Sequence, residues 1–203
     1  MDWPESLDDL RPSQPVEPAK PRDYQREAID AVIAGFDTAD RGQLIMACGT
    51  GKTLTAQFIT GELNATRTLV LVPSLSLLKQ IMRVWQANAQ TGFEVLPVCS
   101  DATVGRDEDA PITRASELGV PVTTDPADIA AFLRETGPRV VFSTYQSSPR
   151  IAAAQTLRDV PGFDLVIADE AHRCAGPVSS EFATVLDGAA IKARRRLFMT
   201  ATP

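Results

Sequence analysis

Between Gln43 and Thr53 the chain reads Leu44-Ile45-Met46-Ala47 and then Cys48-Gly49-Thr50-Gly51-Lys52-Thr53. An apolar run that stops at a Gly-rich turn and continues as Gly-Lys-Thr has the chemistry of a phosphate-binding loop. Gly49 and Gly51 allow the backbone to curl until successive N–H groups point inward at an anion. A helix starting near Lys52 adds the positive end of its dipole. Lys52 has the reach and charge for β- and γ-phosphates, and the Thr53 hydroxyl is suited to Mg2+. Met46 stands where the strict pattern G-x-x-x-x-G-K-T has its first Gly. The residues alone therefore leave two readings open, a phosphate loop or a Gly-rich turn with a solvated lysine.

A second chemical cluster follows Asp164-Leu165-Val166-Ile167-Ala168, where the chain continues Asp169-Glu170-Ala171-His172. An acid at the end of an apolar strand is what a nucleotide hydrolase uses beside Mg2+, and Thr53 with Asp169 would give a small hard cation two oxygen ligands. Glu170, one residue on, could orient and deprotonate a water aimed at the γ-phosphate. A surface Asp-Glu pair at a strand end is the alternative, less favoured once a phosphate loop lies upstream in the same sheet. His172 is the one histidine, and Cys48, Cys99 and Cys174 have no metal-ligand spacing. Zinc is thereby disfavoured, and a reducing cytosol fits the scattered thiols.

These groups need a scaffold. Hydrophobic content of 44% and charged content of 23% are ordinary for a globular protein, and 203 residues suffice for one core. No apolar run approaches the roughly 18 residues that span a bilayer. Net charge is −6, the wrong sign for holding nucleic acid by bulk electrostatics, so any such contact is local or depends on a partner domain. Pro4, Pro12, Pro15, Pro18 and Pro21 make residues 1–21 an extended leader, acidic at its start and unlike a signal peptide. Ala28, Ile29, Val32, Ile33 and Phe36 recur at helical spacing. The strand at 44–47 and a helix at 52–63 come next, then a doubly buried strand at 68–72 ending at Pro73. A helix over 75–89 carries Leu75, Leu78, Ile81, Met82 and Trp85 on one side, and 93–99 forms a strand. Residues 100–125 read as an acidic surface excursion. A helix at 126–136, a strand at 139–143, a helix at 152–157 and strands at 164–168 and 196–200 complete the pattern. Such alternation implies an α/β fold with a mostly parallel sheet covered on both faces. Its sites belong at the carboxyl ends of the strands, where every cluster above falls.

Taken together, the motifs resemble those of the first RecA-like lobe of superfamily 2 helicases or translocases of the DEAH-box type, above all the motor lobes of restriction-type and phage-defence helicases. The likeness covers about residues 21–203 and makes 22–203 an ATP-binding domain with a three-layer RecA-like P-loop fold. In that family a small or apolar residue commonly replaces the first Gly, which accommodates Met46. Gly49, Thr50, Gly51, Lys52 and Thr53 match the first motif, Asp169 to His172 the second, and Thr200-Ala201-Thr202 the third, which with His172 would couple the site to movement. Arg22-Asp23-Tyr24-Gln25 resembles the adenine-reading element, with Gln25 hydrogen-bonding the base; a helix-start glutamine without a ligand is the alternative. By the same likeness Pro73 and Ser74, and Thr144, Tyr145 and Gln146, would touch nucleic-acid phosphates, although Ser and Thr at strand ends often only cap helices. Arg194-Arg195-Arg196 reads as a solvated strand entrance or as a contact for nucleic acid or a partner.

The resemblance implies a cytoplasmic ATP hydrolase using ATP and Mg2+, with Glu170 and Lys52 catalytic and nucleic acid, DNA over RNA, as partner. It also implies a second RecA-like lobe bearing an arginine finger, worth roughly 10³–10⁵ in rate, together with nuclease or methyltransferase domains. The chain stops at Pro203 after the third motif, so the expectation is binding of Mg·ATP with very slow hydrolysis by these residues alone. A GTPase is disfavoured, because neither Asn64 nor Asn88 is followed by Lys and the guanine-reading Asn-Lys-x-Asp is missing. A non-catalytic, nucleotide-dependent interaction module in a defence or repair complex remains the rival from another class.

Overall fold

The computed structural model describes residues 19–100, 118–171 and 190–201. In chain order these form α1 (Asp23–Gly35), β1 (Arg41–Ile45), α2 (Lys52–Glu62), β2 (Arg67–Val72), α3 (Leu75–Ala87), β3 (Glu94–Val98), α4 (Pro126–Arg134), β4 (Arg139–Thr144), a 3-10 turn (Tyr145–Ser147), α5 (Ser148–Gln155), β5 (Phe163–Ala168) and β6 (Ala193–Thr200). The six strands make one sheet in the order β1-β6-β5-β2-β4-β3, and every adjacent pair is parallel. This is the RecA-like α/β arrangement.

Two apolar layers sandwich the sheet. Because strand side chains alternate between faces, Val70 and Val72 of β2 enter one layer with Ile29, Ile59, Leu78 and Trp85, on the side of α1, α2 and α3. Leu69 and Leu71 enter the other with Ile129, Leu133, Ile151 and Ala154 of α4 and α5. The near-continuous apolar runs of β2 and β5 follow from burial on both faces. α3 buries Leu75, Leu78, Ile81, Met82 and Trp85, the side marked by its period. At α4, Asp125 Oδ1 accepts the Ala127 N–H at 2.8 Å and Pro126 occupies the first turn, so both boundary signals sit where the helix begins.

Several boundaries differ from the sequence reading. β1 starts at Arg41 rather than Leu44, because main-chain pairing at an edge needs no apolar side chain, and the exposed Arg41 pairs with Arg196. β6 begins at Ala193, just before the arginine run, rather than at Arg196. The helix expected at 152–157 is Ser148–Gln155, its polar first turn masking the start. α4 ends at Arg134, before Gly137 at φ +88°. Pro97 lies within β3, which is an edge strand where a missing N–H is tolerated. Of the acidic excursion, 101–117 lies outside the described residues. Its end packs back on the domain, with Leu118 buried and Thr123 bridged to Val98.

Strand order also shapes the site: the strands leading into Lys52 and Asp169 are not neighbours, because β6 lies between β1 and β5. Thr200 pairs with Ile45 on one side, and Ala168 pairs with Phe198 on the other. Thr200, at the start of the third motif, thus stands between the two clusters.

Candidate nucleotide-binding site

The loop after β1 is built on two left-handed glycines, Gly49 at φ +77° and Gly51 at φ +82°. Gly51 is also closely packed, since a Cβ there would lie 2.6 Å from Gln25 Nε2 and displace that amide. Thr50 closes the turn, its hydroxyl donating to the Ala47 carbonyl at 2.7 Å. α2 begins at once, with the N–H groups of Leu54 and Thr55 both donating to the Gly51 carbonyl at 3.0 Å. No side chain caps this helix start, which leaves its positive end toward the loop. The Lys52 ammonium donates to the Met46 carbonyl at 3.1 Å and so lies across the loop it would use to hold phosphate.

α1 grips the loop from behind. Gln25 is buried, its Nε2 donating to the carbonyls of Thr50 at 3.1 Å and Gly51 at 3.4 Å. Its Oε1 accepts the Arg22 N–H at 2.9 Å, half of a capping box. The Tyr24 hydroxyl donates to the Thr50 carbonyl at 3.0 Å. The expected base-reading amide is therefore engaged, at both ends, with the helix start and the phosphate loop.

Across β6 lies the acidic corner. Asp169 prolongs the pairing of β5 with β2, its N–H donating to the Leu71 carbonyl at 2.9 Å. The residue is 6% exposed, and burial together with the charge of Glu170 pushes its carboxyl up to about 6. The Glu170 N–H, donating to Asp169 Oδ1 at 3.0 Å, and the charge of Lys52 act in the opposite direction. Glu170 has φ +52°, a left-handed conformation that is strained for a residue with a Cβ and found preferentially at working sites. Below it the buried Tyr145 hydroxyl donates to the Asp169 carbonyl at 2.7 Å. Thr200 is buried between the corners, its carbonyl accepting the Met46 N–H at 3.1 Å, and Ala201 is half-buried. His172 and Thr202 lie outside the described residues.

The expected nucleic-acid side chains need correction. Thr144 and Tyr145 are fully buried, Thr144 Oγ1 donating to Ser147 Oγ at 3.1 Å and Tyr145 to Asp169. Ser143, also buried, donates to the Val98 carbonyl at 2.9 Å. These hydroxyls close the chain turn after β4 and do not face outward. Pro73 is buried, and Ser74 caps α3 by accepting the Leu77 N–H at 3.4 Å. Gln146 is half-buried, with its Oε1 enclosed. The arginine run divides as well. Arg194 is exposed and Arg195 lies over the Phe36 ring, whereas Arg196 is buried and donates to the Ile191 carbonyl.

Among the described residues no cluster of three or more His, Cys, Asp or Glu could hold a metal. Nor is any helix among them long and apolar enough to cross a membrane. A groove of about 800 Å3, lined by Gly61, Asn88, Phe93 and Arg139 among others, holds no residue of the loop or the acidic corner. It lies toward the opposite ends of the strands.

A Gly-Lys-Thr loop and an acidic corner at the carboxyl ends of strands flanking β6 define the first RecA-like lobe of a superfamily 2 helicase. Residues 18–203 match the family model described as "Type III restriction enzyme, res subunit", and the chain belongs to that family. It is 35% identical over 182 residues to the "Probable helicase A859L" of African swine fever virus strain Badajoz 1971 Vero-adapted, a match covering 89% of this chain and 19% of that protein. The chain thus spans about a fifth of the length of the curated relatives it matches. Among solved structures it resembles the Type ISP restriction-modification enzyme LlaBIII bound to DNA (36% identity, TM-score 0.79, 92% of this chain and 13% of that one). It also resembles a nuclease-deletion mutant of the Type ISP enzyme LlaGI in complex with a DNA substrate mimic (38% identity, TM-score 0.74, 91% and 18%). The Sulfolobus solfataricus SWI2/SNF2 ATPase core, at 21% identity and TM-score 0.61 over 94% of this chain and 34% of that one, shares the fold.

Proposed function

We propose that this chain is the ATP-binding lobe of a DEAH-box-type, nucleic-acid-dependent ATPase, a helicase or double-stranded DNA translocase. One observation carries the reading: the loop ending in Lys52 and the corner at Asp169 and Glu170 stand on either side of β6, at the same end of the sheet. In this reading Gly49, Thr50 and Gly51 offer N–H groups to the phosphates. Lys52 releases the Met46 carbonyl and pairs with the β- and γ-phosphate oxygens. Among the described residues only the charge of Lys52 offsets the buried Asp169 carboxylate, which suits a divalent cation, and the oxygen donors Thr53 and Asp169 would suit Mg2+. Bound there, the ion supplies charge neutralisation for phosphoryl transfer. Glu170 orients the attacking water and takes its proton. Gln25 reads adenine only by exchanging its present bonds to Thr50 and Gly51, so base and loop compete for one amide.

Fast turnover belongs to a larger cytoplasmic assembly in which a second RecA-like lobe and nucleic acid complete the cleft. DNA is favoured over RNA, and nuclease or methyltransferase domains are expected companions, because the Type ISP neighbours are DNA-bound restriction-modification enzymes. The partly exposed Ser74 and Gln146 remain candidates for the nucleic-acid side. A competition titration tests the nucleotide class: ATP displaces a bound fluorescent ATP analogue in Mg2+ at least tenfold better than GTP, and equal displacement would sink the adenine assignment.

A further inference from the structure

α2 has no side-chain cap, and the loop before it turns on two left-handed glycines. Its first turn closes on the Gly51 carbonyl through the Leu54 and Thr55 N–H groups and the Thr55 hydroxyl, and a bond from α3 sets where that turn sits. The Trp85 indole Nε1, on α3, donates to the Thr53 main-chain carbonyl at 3.0 Å. One turn along α2, Gln57 Nε2 returns a bond to the Trp85 carbonyl at 2.7 Å. Trp85 is 1% exposed and wedged edge-on against Phe142 of β4, with ring centroids 5.5 Å apart, and against Phe93 at 6.4 Å. A buried indole held on two edges fixes the direction of its N–H.

α3 follows β2 directly, and β2 also supplies the Leu71 carbonyl that accepts the Asp169 N–H. The β2–α3 unit therefore anchors the backbones of both residues proposed to face the metal, Thr53 through Trp85 and Asp169 through Leu71. We infer that Trp85 is a positioning residue for the metal-bearing form of the nucleotide: its indole N–H sets the first turn of α2 so that the Thr53 hydroxyl meets Mg2+ at the distance Asp169 requires. This rests on the proposed function. Octahedral Mg2+ tolerates little displacement of its ligands, so slackening one donor weakens Mg·ATP far more than metal-free ATP.

The test uses the whole chain with Trp3→Phe, leaving Trp85 as its one tryptophan, and compares it with Trp85→Phe, which keeps an aromatic ring and removes the donor. ATP affinity is measured by calorimetry in Mg2+ and in EDTA, below the unfolding temperature of each variant. Trp85→Phe weakens Mg·ATP about three- to tenfold, the scale of one lost hydrogen bond, and leaves ATP in EDTA within about twofold. Equal affinities in both conditions, or equal losses in both, would reduce Trp85 to a packing residue and overturn the inference. Should Trp85→Phe fail to fold, the indole ¹⁵N–¹H resonance of Trp85 in the Trp3→Phe protein decides: it moves on adding Mg·ATP and much less on adding ATP in EDTA, and identical responses count against the inference. Lys52→Ala separates the two levels, because Mg·ATP binding by the parent that ignores this change removes the underlying nucleotide site, and this inference with it.

Discussion

At the scale of single residues, Asp169 and Gly51 hold conformations and ionisation states that the fold alone would not choose. The Asp169 carboxyl is pushed up to about 6, from 3.8, by burial and by the charge of Glu170. A raised acid binds its proton more tightly when folded, so stability falls as pH rises from about 4 to about 6 and the full penalty stands above that window. Asp169→Asn in the nucleotide-free protein is therefore more stable than the parent at pH 7, by about 1–3 kcal/mol. The difference shrinks to near zero by pH 4, as read by urea unfolding across the range. A parent as stable as the variant at pH 7 would show that the buried carboxylate carries no cost. Gly51 makes the complementary case. Alanine there meets Gln25 Nε2 and must hold φ +82°, so Gly51→Ala loses about 1–2 kcal/mol of stability. It also loosens the Gln25 grip on the loop, and Mg·ATP binding weakens at least as much as stability does. Unaltered binding would mean that the loop conformation described here is not the one that takes nucleotide.

At the scale of elements, the start of β5 is tied to the start of β2 by one acid. Asp164 Oδ2 accepts the Thr66 N–H at 2.9 Å, the Thr66 hydroxyl at 2.8 Å and the Arg67 N–H at 2.9 Å. Burial pushes its carboxyl up, but these bonds and the Arg67 charge outweigh it and hold it below its ordinary value. Stability from this tie is present above the ordinary carboxylate range and is lost as pH falls through the lowered folded value. Asp164→Ala costs about 1–2 kcal/mol at pH 7, the partly exposed bonds being screened, and the cost vanishes in acid; a pH-independent cost would point to packing instead. Much of the element pattern was legible, because β2, β5 and α3 carry burial directly in their apolar spacing. The starts of β1 and β6 were less so. Backbone pairing, not side-chain type, sets where these neighbouring strands begin, so Arg41 and Arg194 hid two strand starts. Strand order was illegible for a similar reason, since no residue pattern states that β6 inserts between β1 and β5. Within the candidate site, the Gly-Lys-Thr loop and the Asp-Glu corner were readable because their chemistry needs those types at that spacing. The bonds of Gln25, Tyr145 and Trp85 were not, because each joins residues 24 to 32 positions apart in the chain. Thr144 and Tyr145 misled for the opposite reason, as hydroxyls at a strand end look outward in sequence whichever way they turn.

At the scale of the molecule, the proposed function has these 203 residues supply one side of a cleft, which binds better than it turns over. The proposed arginine finger belongs to a second lobe, so the chain alone hydrolyses ATP on the order of 10³-fold or more below a complete motor. Adding duplex DNA leaves that rate unchanged, as followed by phosphate release; robust DNA-stimulated turnover by these 203 residues would refute the division of labour. Beneath this lies the question of whether the Lys52 loop and the Asp169 corner hold one triphosphate between them. Isothermal calorimetry with Mg·ATP addresses it most directly. A saturable heat that Lys52→Ala abolishes and Asp169→Ala reduces is the expected result, while no heat from the parent, or the same heat from Lys52→Ala, would contradict it.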